Sequence, residues 1–292
     1  MIKPSRAYRV FTVLNLVILS AIAILCVLPL IHVLAVSLSD KQSVTAYLVK
    51  LWPIGFNTHA YRESFKSNGL LNAFRVSILR ILLGTAISMF LTMLAAYSMS
   101  KDDRQFRGRT AYAWYFVFTM LFGGGLIPTY LMVKGVGITD SIWALVLPGA
   151  VNVFNVVLMM NFFRGIPREL EEAALIDGSG HFRILFLIFF PISLPSFATL
   201  TLFNLVNHWN AWFDGMIYMT KAGNYPLATL LRSIVANFDY SKLGMNPSDV
   251  KFLSERSIKS AQIFIGTVPI LLVYPFLQKY FIKGMTLGSV KE

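Results

Sequence analysis

The sequence predicts an all-α integral membrane protein with six transmembrane helices. Hydrophobic side chains make up 56% of the 292 residues and charged side chains only 14%, and the mean hydropathy is +0.63. This composition excludes an ordinary soluble domain, because lipid must hide most of the apolar surface. About 20 apolar residues of helix cross a bilayer core, and six runs reach that length. The runs are 11–38, 73–99, 111–133, 141–163, 192–218 and 261–282.

The first run follows a short basic head that contains Lys3, Arg6 and Arg9. Such a head is typical of secretory signal peptides, whose apolar segment is about 7–15 residues long. The run 11–38 is longer than that and lacks a cleavage site of the small-x-small kind. We therefore expect a retained transmembrane helix at the start of the chain.

The later runs are predicted to be helices of one transmembrane domain that covers residues 1–292. The third run contains three consecutive glycines, Gly123 to Gly125, within its apolar residues. The fifth run is preceded by Pro191 and contains Pro195. Because proline removes a backbone donor and clashes with the preceding turn, we expect these two prolines to interrupt the helix where it begins.

The distribution of basic residues indicates the orientation of the chain. An even number of spans places both termini on one side of the membrane. Half of the 26 lysine and arginine residues fall on that side, in short segments close to the ends of the spans. Basic residues in such segments favour the cytoplasm, so both termini are predicted to be cytoplasmic. The net charge of +12 is read as anchoring to membrane lipid, with no nucleic-acid partner.

The loop 164–190 is predicted to carry a short helix outside the bilayer. Pro167 suits the first turn of a helix, and the acidic residues after it suit the positive N-terminal end of the helix dipole. Gly178 or Gly180 can end the helix. The residues Ala173 and Ala174 leave one helix face nearly bare, so another protein could approach closely. From the residues alone, a solvated connector and a docking helix both remain open.

The same loop resembles the EAA loop of bacterial ABC importer permeases. Glu172, Ala173 and Ala174 are followed at the family's spacing by Gly178, Ile188 and Pro191, and Phe190 stands where the family usually has leucine. The resemblance implies the type I importer permease fold and a cytoplasmic coupling helix that docks on an ATP-binding subunit. It assigns this coupling role to Glu171, Glu172, Ala173, Ala174, Asp177 and Gly178.

Segments throughout the chain are similar to the carbohydrate-uptake branch of these permeases. They include Leu51-Trp52-Pro53, Ala95-Ala96-Tyr97, Trp209-Asn210 and Tyr274-Pro275. The segment from Gly123 to Pro128 and the C-terminal tail resemble the permeases for complex oligosaccharides, including alginate-type uronides. The resemblance implies sugar import by alternating access in the bacterial inner membrane. It also implies a homologous second permease, two ATP-binding cassette subunits and an extracytoplasmic solute-binding protein.

The chain itself has no sequence motif for catalysis. A phosphate-binding loop of the form GxxxxGK[ST] is missing, because the triplet beginning at Gly123 lacks the lysine. The four histidines are scattered and form no HExxH motif, which argues against a metal site. We therefore expect a non-catalytic subunit with no cofactor of its own, whose partners bind ATP and Mg²⁺.

Polar and aromatic residues near the end of the fifth run are candidates for the substrate path. Polar groups at membrane depth are costly unless they face protein or a wet cavity. The candidates are Asn204, His208, Trp209, Asn210, Trp212 and Asp214. Two alternatives remain open: asparagine and histidine commonly bond neighbouring helices, and tryptophan commonly marks the membrane interface.

An ion-coupled secondary carrier or a channel is the alternative function from another class. The sequence shows no convincing internal repeat, which counts against a carrier built from inverted halves. A carrier would transport as a single purified gene product, whereas an importer permease would be inactive without an ATPase.

Overall fold

The computed structural model describes residues 5–66, 68–236 and 254–289, and these parts of the chain contain helices but no strands. The predicted all-α fold class is therefore confirmed. The α-helices are α1 (Arg6–Ser37), α2 (Lys41–Thr45), α3 (His59–Lys66), α4 (Asn68–Ser100), α5 (Arg109–Leu121), α6 (Leu126–Gly135), α7 (Ile142–Val146), α8 (Val153–Arg164), α9 (Arg168–Ile176), α10 (His181–Ile184), α11 (Phe190–Ile192), α12 (Leu194–Asn210), α13 (Phe213–Tyr218), α14 (Leu227–Ala236) and α15 (Glu255–Ser289). A π-helical turn, Leu185–Phe189, joins α10 to α11.

Contacts within the chain group into two compact units. The first comprises Met1–Leu71 and Ser233–Val268. In it, α1 begins at Ser5, whose hydroxyl accepts a hydrogen bond from the Tyr8 backbone N–H. The Ser37 hydroxyl lies 2.7 Å from that of Tyr61 and joins the end of α1 to α3. Most of the length of α1 is apolar and exposed, as expected of a helix whose solvent is lipid.

The second unit comprises Asn72–Arg232 and Pro269–Glu292 and carries both candidate sites. Its main core is formed by α4, α8, α12 and the helical segment from α10 to α11. The largest side chains of this core include Met93, Tyr97, Met159, Phe163, Leu185 and Phe189. A smaller apolar cluster joins α6, α7 and α13 through residues such as Val133, Leu145 and Tyr218.

Two of the predicted spans appear as long, apolar helices within the described residues. They are Tyr8–Ser37 and Gly69–Ser100; the first covers all but the last residue of the predicted run 11–38, and the second covers the run 73–99. The count rises to four if each of two bent helix pairs is one span. Helix α15 contains the sixth run, 261–282. The number of six crossings and their bounds stay predictions.

In the structure, the third, fourth and fifth runs each consist of two helices with a break between them. In 111–133, α5 and α6 meet at an angle of 113°, because glycine loses much backbone entropy in a helix and Gly125 adopts a φ of +83°, which is not helical. In 141–163, α7 and α8 are separated by a segment that contains Pro148 and Gly149. In 192–218, the chain leaves the helix at Ala211 and Trp212, between α12 and α13.

The bend at the start of the fifth run was predicted from its prolines. The helices His181–Ile192 and Leu194–Asn210 meet at 85°, with Ser193 between them. Pro191 and Pro195 flank this break, and neither can donate the backbone hydrogen bond that a continuous helix requires. The prediction of an interrupted helix at this point is confirmed.

Candidate functional site

The loop 164–190 contains the expected short helix, which begins at Arg168 and ends at Ile176. Pro167 stands at its N-terminal cap and Glu169 in its first turn. At the other end, Gly178 adopts the left-handed conformation with φ +75°. The backbone N–H groups of Gly178 and Ser179 donate to the carbonyls of Leu175 and Ala174 at 3.0 and 2.9 Å. This arrangement is a Schellman motif, in which glycine is favoured.

The inner face of α9 is fixed by a buried ion pair. Lys101 Nζ lies 2.6 Å from Glu171 Oε1, and the two side chains are only 8% and 9% exposed. The ammonium group also lies 3.8 Å from the centre of the Tyr97 ring and 4.4 Å from that of Phe189. Burial lowers the pKa of Lys101, while its hydrogen bond with Glu171 acts in the opposite direction. Ala174 is buried on the same face.

The outer face of α9 presents the other residues that the resemblance assigns to coupling. Glu172, Ala173, Asp177 and Gly178 are exposed. The structure thus separates the six candidates, because Glu171 and Ala174 point into the chain. Sequence reasoning missed Ile176, whose side chain is 86% exposed. A large apolar residue beside the Asp-Gly turn was the signal that could have found it.

A polar cleft lies between α9 and the loop that follows α4. Its volume is about 390 Å³. The basic side chains that line it include Lys101, Arg109 and Arg164, and Glu172 lines it as well. Arg168 and Asp102 also line the cleft and form an ion pair, with 2.8 Å between Nη1 and Oδ2. This surface is therefore charged, in contrast to the apolar flanks of the predicted spans.

Three substrate-path candidates from the fifth run contact α4 of the same chain. The Asn204 amide accepts a hydrogen bond from Ser88 at 3.2 Å and donates to the Leu200 carbonyl at 3.2 Å. The half-buried His208 ring packs against Gly84 so closely that an added Cβ would lie 2.5 Å from Nε2. Asp214 forms a two-point ion pair with Arg80. These contacts favour the interhelical alternative for Asn204 and His208.

The remaining candidates lie on other faces of α12 and at its end. Trp209 is half-buried and meets the edge of Phe74, with 6.2 Å between ring centres. Asn210 is exposed, and so is Asn207 one helical turn earlier. Trp212 is 37% exposed, and the guanidinium of Arg232 stacks over its ring at 5.0 Å. Arg232 was not among the residues selected from the sequence.

The break between α12 and α13 is held by hydrogen bonds to its carbonyl groups. Arg80 Nη1 donates to the Ala211 carbonyl at 3.0 Å, and the Thr229 hydroxyl donates to the Trp212 carbonyl at 2.8 Å. These bonds replace the helical bonds that the break removes. Thr229 lies against Gly215, where any Cβ would overlap its hydroxyl. The exposed ring of Trp212 is consequently carried on a well-anchored backbone.

Comparison with known proteins gives consistent matches over almost the whole chain. Residues 3–287 match the family described as binding-protein-dependent transport system inner membrane component. The chain is 43% identical to the polygalacturonan/rhamnogalacturonan transport system permease protein YtcP of Bacillus subtilis (strain 168), over 97% of this chain and 99% of that protein. It is 39% identical to the protein LplC of the same organism, over 98% and 97% of the two chains.

A solved structure has the same fold. It is the crystal structure of a bacterial ABC transporter involved in the import of the acidic polysaccharide alginate. The TM-score is 0.86 at 29% sequence identity, and the match covers 96% of this chain and 100% of the other.

Proposed function

Because the chain belongs to the family of binding-protein-dependent transport system inner membrane components, we propose that α9 is the element through which a separate ATPase drives sugar translocation. The chain is a permease subunit of a sugar or polysaccharide ABC transporter, and it is a component of the inner membrane. Its resemblance to importer permeases of the carbohydrate-uptake family is thus confirmed. The coupling element, the partners and the substrate class form the proposal.

The observation that carries the proposal is the two-sided character of α9. Glu171 anchors the inner face to Lys101, while Glu172, Ala173 and Ile176 are exposed on the outer side. An exposed apolar residue beside small and acidic residues favours a protein partner over a purely solvated connector. An ATP-binding subunit that pushes on this surface would move the anchored core with it, as a rigid lever.

The complete transporter contains more than this chain. We propose a homologous second permease, since a single set of predicted spans makes a poor closed path. Two ATP-binding cassette subunits bind ATP and Mg²⁺ and hydrolyse ATP, so this chain is non-catalytic and needs no cofactor. An extracytoplasmic solute-binding protein delivers the substrate, in keeping with the family's description. Both termini lie in the cytoplasm, and lipid surrounds the spans.

We propose an oligosaccharide that carries carboxylates as the substrate. Two of the similar proteins support this class: one is described as a polygalacturonan/rhamnogalacturonan permease and the other as an importer of the acidic polysaccharide alginate. Transport follows alternating access, in which closure of the ATPase dimer moves α9 and the permease halves open outward. ATP and substrate then bias the same two-state element.

Purification from native membranes followed by transport in liposomes tests the proposed function. We expect the chain to co-purify with a second permease and an ATP-binding subunit, and uptake of sugar to require ATP. Recovery of the chain alone, with transport that persists without ATP, would favour an ion-coupled carrier or a channel instead.

Two variants in the same loop sharpen the test. Glu172→Lys reverses the exposed charge and is expected to abolish ATP-driven uptake while the protein still inserts into the membrane. Gly178→Val forces a β-branched side chain into the left-handed region and should reduce uptake strongly. Gly180→Val is the matched control, because Gly180 has an ordinary φ of −75° and open space at its Cβ position. Uptake at the wild-type rate in Glu172→Lys and Gly178→Val, as in the control, would contradict the coupling role of α9.

A further inference from the structure

The break between α12 and α13 displays an arginine, a tryptophan and two asparagines on exposed surface. Arg232 on α14 lies over one face of the Trp212 ring at 5.0 Å. Asn207 and Asn210 are exposed on the last turn of α12, immediately before the break. Polar residues on an otherwise apolar helix are costly unless they meet a wet cavity or a polar partner. Asn210 and Asn207 come two and five residues before Trp212, the residue on which the arginine stacks, so all four belong to the same end of α12 and can serve one polar ligand.

The backbone that carries Trp212 and Arg232 is held in place by hydrogen bonds to neighbouring helices. Thr229 holds the Trp212 carbonyl at 2.8 Å and stands three residues before Arg232, so both lie on one face of α14. The start of α14 is tied to α4, because the Leu227 backbone N–H donates to the Ser77 hydroxyl at 2.7 Å. Trp212 and Arg232 are thus presented by anchored backbone, as ligand sites require.

The charge of Arg232 is available for a ligand. Within the described parts of the chain, no carboxylate pairs with it, whereas the nearby Arg80 is paired with Asp214. A guanidinium group stacked on indole keeps its N–H edge free for hydrogen bonds. That edge has the fork shape that binds a carboxylate through two parallel bonds.

The asparagines and the tryptophan match the rest of a sugar. Over the described residues, the Asn207 and Asn210 amides form no hydrogen bond with other side chains, so their donors and acceptors can bind hydroxyl groups. The exposed part of the Trp212 indole is a flat apolar surface, which suits the C–H face of a pyranose ring. A neutral sugar would use these three residues and leave Arg232 unpaired.

We propose that Trp212 and Arg232, with Asn207 and Asn210, form a subsite that recognises one uronic acid unit of the substrate. Arg232 binds the carboxylate, Trp212 supports the ring, and the two amides bind its hydroxyl groups. The inference rests on the proposed function and names the group that distinguishes acidic from neutral oligosaccharides. Arg232 is the specificity-determining residue.

Binding measurements on the complete transporter in lipid nanodiscs test this subsite. The probes are the trisaccharide of galacturonic acid and its fully methyl-esterified form, which keeps the rings and hydroxyls but lacks the negative charges. We expect Arg232→Gln to weaken binding of the acidic probe about tenfold to a hundredfold, as for loss of a charged hydrogen-bonded pair. Binding of the ester should change less than about threefold, because the ester has no charge to lose.

Two further variants separate recognition from a general effect on folding or charge. Arg232→Lys keeps the charge but loses the fork, so its affinity for the acidic probe should fall between wild type and Arg232→Gln. Lys221→Gln removes a positive charge from an exposed loop residue that follows the C-terminal end of α13, away from the break that precedes this helix, and should bind both probes like wild type.

Three outcomes would overturn the subsite. They are an equal loss for both probes in Arg232→Gln, unchanged binding of the acidic probe in that variant, and failure of the wild-type complex to bind the acidic probe. ATP-dependent uptake and co-purification of the ATPase, measured on the same preparation, decide the proposed function separately. A transporter that passes those assays but fails the probe test refutes the subsite alone.

Discussion

Two ion pairs anchor other elements to α4 and to the residue that follows it, and they differ in how completely the protein encloses them. At the C-terminal end of α4, the inner end in the proposed topology, Lys101 and Glu171 are both buried and aromatic rings cover the ammonium group. In the outer half of α4 in that topology, Arg80 is only 3% exposed but Asp214 is 27% exposed. The two basic residues are 21 positions apart, which corresponds to about 30 Å along a helix.

The difference indicates two tasks for one helix. The closed inner pair joins the end of α4 to α9, where an ATPase is proposed to act. A loose contact there would not transmit the movement of α9 to α4. The open outer pair joins α4 to the break that carries Trp212, where a ligand is proposed to bind. Arg80 also donates to the Ala211 carbonyl, so it shapes the break as well as pairing with Asp214. The inner pair therefore fixes α9 to the end of α4, and the outer pair shapes the break that leaves Trp212 accessible to a ligand.

The largest expected effect comes from removing one partner of each pair. Glu171→Gln leaves the Lys101 ammonium buried without its counter-charge, and loss of one partner from a buried pair typically costs about 3–5 kcal/mol. Asp214→Asn should cost less, because Arg80 keeps its hydrogen bond to the Ala211 carbonyl and water can reach the partly exposed position of the lost carboxylate. Thermal unfolding of both variants in the same detergent measures the difference.

Removing both inner charges provides the control for this comparison. The variant Lys101→Met with Glu171→Leu should recover much of the stability lost in Glu171→Gln, since a well-packed apolar pair can replace a buried ion pair. Recovered stability together with weak ATP-driven uptake would separate the packing role from the coupling role. A larger loss of stability in Asp214→Asn than in Glu171→Gln would contradict the conclusion that the inner pair is the more completely enclosed of the two.

A medium effect is expected where α12 approaches α4 between the two pairs. Gly84→Ala would place a Cβ 2.5 Å from His208 Nε2, so the ring has to move, and overpacking of this kind costs about 1–3 kcal/mol. The double variant Gly84→Ala with His208→Ala should regain most of that loss. Unfolding temperatures that fail to show this rescue would mean that His208 does not pack on Gly84.

The smallest effect concerns the hydrogen bonds between Asp140 and Thr220, which join the loop before α7 to the segment after α13. Asp140 accepts hydrogen bonds from the Thr220 hydroxyl and from the Thr220 backbone N–H, the latter at 2.7 Å. These bonds, with the hydroxyl contributing most, lower the pKa of Asp140. A lowered carboxyl pKa stabilises the fold above the unfolded value of about 3.9, and this contribution is lost as the pH falls through the folded pKa.

Hydrogen exchange of the segment 218–224 tests these hydrogen bonds. After correction for intrinsic rates, wild type should be better protected than Asp140→Asn at neutral pH, and the two should converge at a pH below the folded pKa. A difference that persists unchanged in strong acid would contradict the role of the Asp140 carboxylate.

The sequence predicted the class of fold and the short helix well, because both depend on local signals. Apolar runs define lipid-facing helices, and the positions of Pro167 and Gly178 set the bounds of α9. The breaks within the third and fourth runs also had local signals, in the glycine triplet and in Pro148 with Gly149. The six runs were defined by average hydropathy, which does not show where a helix bends or breaks.

The candidate sites were harder to predict because they depend on contacts distant in sequence. The break at Ala211 has no glycine or proline and is held by Arg80 and Thr229. Helical spacing placed Asn204 and His208 on one face, but it could not tell whether that face meets α4 or a cavity. Arg232 has no neighbouring motif, and its stacking on Trp212 depends on how α14 returns to the break.

Cysteine cross-linking from α9 tests the central claim most directly. The single native cysteine, Cys26, is first replaced by serine, and a cysteine is then introduced either at the exposed Ala173 or at the adjacent, buried Ala174. In native membranes, the Ala173→Cys chain should cross-link to an ATP-binding subunit in a way that ATP changes, whereas the Ala174→Cys chain should not. An unlinked Ala173→Cys chain that still transports sugar would contradict the account.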